Sequence, residues 1–76
     1  MKILIADDEA FARAELTELL GRMALPPDTQ IVAAGDGVEA LERSVGSPPD
    51  LLITDVRMPR MDGIALARQI AQSFPA

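Results

Sequence analysis

The 76-residue sequence predicts an α/β fold, a parallel sheet in the order β-α-β-α-β-α with helices on both of its faces. Three observations carry that prediction. Three short apolar runs rich in branched residues stop abruptly at an acid or a glycine. Stretches with helical period or helix-start signals follow them. The runs also lack polar–apolar alternation, which marks strands buried on both faces. Alternating elements of this kind pack as a parallel sheet joined by right-handed crossovers.

The first strand is Ile3-Leu4-Ile5-Ala6, cut off by Asp7-Asp8-Glu9. Residues 10–24 then take up a helical period, with Ala12, Leu16, Leu19, Leu20 and Met23 on one face. Asp8 or Glu9 stands at the helix start, where an acid suits the helix dipole. Leu25-Pro26-Pro27-Asp28-Thr29 breaks the helix. Residues 30–34, Gln-Ile-Val-Ala-Ala, form the second strand. Gly35-Asp36-Gly37 turns the chain, and Asp36 with Glu39 reads as an N-cap and N3 pair for the second helix. That helix is expected to turn Val38, Leu41 and Val45 inward and to stop at Gly46-Ser47-Pro48-Pro49. The third strand is Leu51-Leu52-Ile53-Thr54, ended by Asp55. A loop containing Pro59 follows. Asp62 caps a third helix with Leu66, Ala67, Ile70, Ala71 and Phe74 on its core face.

Composition narrows the function. There is no cysteine and no histidine, so zinc clusters, thiol catalysis and histidine acid–base chemistry are excluded. Twelve acids against seven bases give a net charge of −5, a poor match for nucleic acid or an anionic membrane. Two phenylalanines are the only aromatics, which leaves no stacking platform for bases. No apolar run reaches the length of a membrane span and no signal peptide opens the chain, so a cytoplasmic protein is expected. One domain over residues 1–76 is all the length allows.

The chemistry lies with three acids. All strands of a parallel sheet point the same way, so Asp7 and Asp8 end the first strand on the edge where Asp55 ends the third. If those strands are neighbours, about 4.8 Å apart, the three open onto one crevice, and open α/β sheets bind ligands there. Clustered carboxylates either take up protons or are neutralised by a cation. Hard oxygen ligands on short side chains suit Mg²⁺. A carboxylate beside that ion can attack phosphorus to form an acyl phosphate. Asp55, alone at its strand end, is the nucleophile candidate, and the adjacent Asp7 and Asp8 are the metal-ligand candidates. The competing structural reading is that these acids cap helices or simply end strands.

Residues 3–9 (Ile-Leu-Ile-Ala-Asp-Asp-Glu), 34–41 (Ala-Gly-Asp-Gly-Val-Glu-Ala-Leu) and 50–63 (Asp-Leu-Leu-Ile-Thr-Asp-Val-Arg-Met-Pro-Arg-Met-Asp-Gly) resemble the receiver domain of bacterial two-component response regulators. The resemblance covers essentially the whole chain. It implies a flavodoxin-like fold with strand order 2-1-3. It also implies that Asp55 accepts a phosphoryl group from a sensor histidine kinase, with Mg²⁺ bound by Asp7, Asp8, Asp55 and the backbone carbonyl of Arg57. Met58, Pro59, Asp62 and Gly63 match the loop that shapes the site. Residues 8–16 are similar to receivers fused to LytTR-type DNA-binding domains. The implied role is that of a signalling module, not an enzyme.

Receivers of this family have five βα units, and this sequence is expected to be a truncated receiver holding three. The family's Thr or Ser after the fourth strand and Lys after the fifth have no counterpart, so impaired phosphotransfer is expected. The third strand becomes an edge, which invites a homo-oligomer through edge pairing or element exchange. One alternative is an inert truncated receiver serving only oligomerisation or interaction. Another is a nucleotide-binding βαβ unit, because Gly35-x-Gly37-x-x-Ala40 matches a dinucleotide fingerprint. Asp36, Glu39 and Glu42 argue against the latter by crowding acids where a pyrophosphate needs positive potential. The arginines read as scattered surface charge, with Arg57 and Arg60 flanking the acidic site.

Overall fold

A computed structural model describes residues 1–73. Its elements are β1 (Lys2–Ala6), α1 (Ala10–Gly21), β2 (Gln30–Ala34), α2 (Gly37–Ser44), β3 (Leu51–Thr54) and α3 (Gly63–Ser73). The sheet is parallel with order β2-β1-β3. Ala6 lies opposite Ala34 on one side and Thr54 on the other. This is the expected fold class and strand order.

β1 is central, and Ile3 through Ala6 are all buried. Successive side chains of a strand point to opposite faces. Ile3 and Ile5 therefore pack with Leu20 of α1, supported by Leu16, Ile31 and Ile53. Leu4 and Ala6 pack on the other face with Ala34, Ala40 of α2 and Leu66 of α3. An apolar run with no alternation is what a strand covered on both faces requires.

The helices depart from the expected faces at five residues. α1 ends at Gly21, where Arg22 and Met23 donate to the carbonyls of Leu19 and Leu20 in a tight last turn. Met23 thus lies beyond the helix and is exposed. Leu16 and Leu20, four apart, form the inward line; Leu19 sits about 100° round the helix from Leu20 and is 57% exposed. α2 ends at Ser44, and the extended backbone of Val45 turns its side chain out, leaving it 73% exposed. Ser44 takes the inward place instead, its hydroxyl donating to the Leu41 carbonyl. In α3, Leu66 is buried and Ile70 packs beside it, whereas Ala67 and Ala71 are exposed. The expectation for Phe74 falls outside the described residues. No helix among the described residues is long and apolar enough to cross a membrane.

Candidate functional site

Parallel pairing places the C-terminal ends of β1 and β3 side by side. The Asp55 amide donates to the Ala6 carbonyl at 2.9 Å, and the Asp7 amide donates to the Ala34 carbonyl at 3.1 Å. These bonds continue the sheet by one residue and hold both acids at its rim. Asp7, Asp8 and Asp55 each bring a carboxylate oxygen within 4.8 Å of the others. Asp7 is half-buried; Asp8 and Asp55 are exposed. Neither Asp8 nor Glu9 caps α1: Glu9 stands at the N-cap position with no side-chain capping bond. Asp7 does local work instead, its Oδ1 accepting from the Glu9 amide at 2.9 Å. Among the described residues no hydrogen bond engages the Asp8 or Asp55 carboxylates, and both side chains are exposed.

A Mg²⁺ ion fits this donor set. Three short, hard carboxylate ligands with oxygens within 4.8 Å of one another are the kind of donors that such an ion would take. Asp7 keeps Oδ2 free of the Glu9 bond. Arg57 stands two residues past Asp55 in the exposed β3–α3 loop, and among the described residues no hydrogen bond engages its carbonyl.

That loop is held at three points. Asp62 Oδ1 accepts from the Ala65 amide at 2.8 Å and caps α3, as its sequence position predicts. The Gly63 amide donates to the Val56 carbonyl at 2.8 Å. A Cβ on Gly63 would lie 2.0 Å from the Asp55 carbonyl oxygen, so only glycine lets α3 begin this close to the acid. Arg60, with φ 69°, adopts a left-handed conformation that costs a residue bearing a Cβ roughly 1–2 kcal/mol. In that pose its guanidinium grips both oxygens of Asp36, Nε to Oδ2 at 3.1 Å and Nη2 to Oδ1 at 2.9 Å. Arg60 thus staples the loop to the start of α2 and is committed to that pair.

The α2 start is closed on itself. Asp36 Oδ1 accepts from the Glu39 amide, and Glu39 Oε1 accepts from the Gly35 amide, both at 2.8 Å. The Glu39 amide, then Arg60, hold the Asp36 carboxyl below the usual range. The Gly35 amide, then Arg43, do the same for Glu39. Gly37 is explained without a nucleotide: its Cβ would lie 2.2 Å from the Met61 carbonyl oxygen. The α2 end of the fingerprint is thus occupied by protein groups.

Sequence reasoning missed the arginine contacts and the Gly63 approach. Arg13 reaches from α1 to donate to the Asp7 carbonyl at 2.7 Å. No periodicity signals that bond, because a long side chain finds it across a turn. Lys2 is also employed, its ammonium donating to the carbonyls of Arg43 and Ser47, both at 2.7 Å.

The chain belongs to the response regulator receiver domain family, whose model matches residues 3–76. It is 48% identical over 71 residues to the transcriptional regulatory protein PdtaR of Mycobacterium tuberculosis, covering 92% of this chain and 33% of that protein. It is 38% identical over 78 residues to a protein-glutamate methylesterase/protein-glutamine glutaminase of Pseudomonas syringae, covering 99% and 19% respectively. Among solved structures it resembles a two component transcriptional regulator AraC from Clostridium phytofermentans, with TM-score 0.87, 45% identity, and 99% and 60% coverage. The chemotaxis response regulator CheY4 of Vibrio cholerae gives TM-score 0.79 at 28% identity, with 92% and 55% coverage. The chain thus spans a third or less of the length of these curated relatives.

Proposed function

We propose that residues 1–76 act as a cytoplasmic phosphoacceptor module in which Asp55 receives a phosphoryl group from a sensor histidine kinase. The observation that carries the reading is the convergence of Asp7, Asp8 and Asp55 at one sheet edge, with oxygens within 4.8 Å. Asp7, Asp8, Asp55 and the Arg57 carbonyl are the groups to hold Mg²⁺. When bound, the ion offsets negative charge on the transferring phosphoryl group. An Asp55 oxygen forms the new bond to phosphorus while the phosphorus–nitrogen bond of the donor imidazole breaks; the nitrogen keeps the electron pair. The acyl phosphate so formed is the signal, which makes the module a switch and not an enzyme.

Phosphorylation of this 76-residue chain is expected to be weak. Its single lysine, Lys2, caps the α2–β3 turn at the other end of β1, leaving no ammonium for the phosphoryl oxygens. Incubation with acetyl phosphate and Mg²⁺, followed by intact mass, tests the reading. A small Mg²⁺-dependent adduct is expected in the wild type and none in Asp55→Asn. An adduct that survives in Asp55→Asn overturns the assignment. Complete absence of adduct favours the inert interaction module.

A second reading concerns assembly, and the edge position of β3 favours it. Among the described residues β3 pairs with β1 alone, Leu51 is exposed, and Phe11 and Leu19 stand out on α1. An unpaired strand edge favours pairing with another chain, and exposed apolar side chains add surface to bury in such an assembly. This 76-residue chain is therefore expected to self-associate through β3 or by exchange of elements. Light scattering across micromolar concentrations checks this; a monodisperse monomer would rule it out.

A further inference from the structure

We propose that Arg13 is a positioning residue for the Asp7-Asp8 pair, its guanidinium fixing the backbone from which both carboxylates project. The inference rests on the reading of that pair as a Mg²⁺ site and adds a residue to it.

Three observations place Arg13 in the role. Its Nη1 donates to the Asp7 carbonyl at 2.7 Å in a half-buried setting. Among the described residues nothing else donates to that carbonyl. The same Nη1 lies 3.4 Å from where a Cβ on Gly35 would stand, so the guanidinium is wedged between the ends of β1 and β2. The Asp7 side chain is braced separately, by the Glu9 amide on Oδ1. The turn is thus pinned from the helix side at its carbonyl and from within at its carboxylate. Removing the guanidinium frees the Asp7–Asp8 peptide plane to rotate, and with it the directions in which both side chains leave the chain.

Charge and geometry make opposite predictions, which makes the idea testable. A guanidinium beside a cation site repels the cation, so by charge alone its loss tightens Mg²⁺ binding. Partners that orient metal ligands typically contribute 10- to 100-fold in affinity, so by position its loss weakens binding. Position is expected to win, because the guanidinium is hydrogen-bonded to a ligand's own backbone while water and salt screen its charge.

The test is Mg²⁺ titration by calorimetry on the wild type, Arg13→Met, Arg13→Lys and Arg22→Met. Arg13→Met is expected to bind Mg²⁺ about tenfold more weakly. Arg13→Lys, with the charge and one donor kept, falls between it and the wild type. Arg22→Met is expected to bind like the wild type, because Arg22 pairs with Glu18 at the far end of α1. Equal or tighter binding by Arg13→Met overturns the inference. Amide exchange on the metal-free chain supplies a readout independent of the ion: the Glu9 amide is expected to exchange faster in Arg13→Met. Unchanged Glu9 exchange overturns the inference whatever the wild type binds, whereas a wild type that binds no Mg²⁺ overturns the metal reading itself. If Arg13→Met does not fold, Arg13→Lys carries both comparisons.

Discussion

Gly63→Ala is expected to cost the chain about 3 kcal/mol or more and to pull the β3–α3 turn away from Asp55. The added methyl would lie 2.0 Å from the Asp55 carbonyl oxygen, 3.0 Å from its carbon and 2.9 Å from Thr54 Oγ1. Two of those atoms are backbone and cannot swing aside. The Asp55 amide is bonded to Ala6, and Thr54 is in register with β1, so the strand end cannot retreat without breaking sheet pairing. α3 must yield instead, which loses the Gly63–Val56 bond and loosens Leu66. A chain of this length has a total stability of roughly 4–11 kcal/mol, so one methyl removes a large part of it. Urea unfolding followed by circular dichroism checks the loss, with Gly21→Ala as control. Nothing lies within 4 Å of a Cβ on Gly21, so its replacement is expected to be neutral or slightly stabilising. A loss below about 1 kcal/mol for Gly63→Ala would mean that the turn gives way without cost.

Leu66→Ala is the second large effect, at about 2–5 kcal/mol. Leu66 is fully buried and is the one large α3 side chain that reaches the Leu4–Ala40 cluster completely. Removing it leaves a cavity between α3 and the sheet that Ile70 and Met61, already in place beside it, cannot fill without moving. Leu19→Ala is the contrast. Its position on α1 gives it the same apparent place in a helical pattern, yet its side chain is mostly exposed, so truncation is expected to change stability by less than about 0.5 kcal/mol. Equal losses from the two substitutions would contradict the burial of Leu66 and the exposure of Leu19. Assembly through α1 would raise the Leu19 cost with protein concentration, so both are measured at two concentrations.

These two leucines show where sequence reading stops. The strands were legible because runs such as Ile3–Ala6 have one composition on both faces, which only a doubly covered strand requires. The Asp36–Glu39 and Asp62 caps were legible because capping is local, settled within four residues. The three acids were legible because strand direction alone puts their positions on one rim. α1 was harder. Ala12, Leu16, Leu19, Leu20 and Met23 make a broad stripe, and a broad stripe does not say which of its two margins meets the sheet. Val45 was missed because the helix ended one residue earlier than its apolar pattern.

The order of elements, the positions of the caps and the strand ends at which carboxylates collect all follow from composition over a few neighbouring residues. How near those carboxylates come, which margin of α1 is buried and what the arginines do depend on the packing of the folded chain. The sequence pattern marks Arg60 as a flanking charge and Arg13 as surface, whereas Arg60 is tied to Asp36 and Arg13 holds the Asp7 carbonyl. The difference is one of reach. A backbone pattern is set by neighbours in the chain, whereas a guanidinium at the end of a long side chain takes its partner from whatever the fold brings beside it.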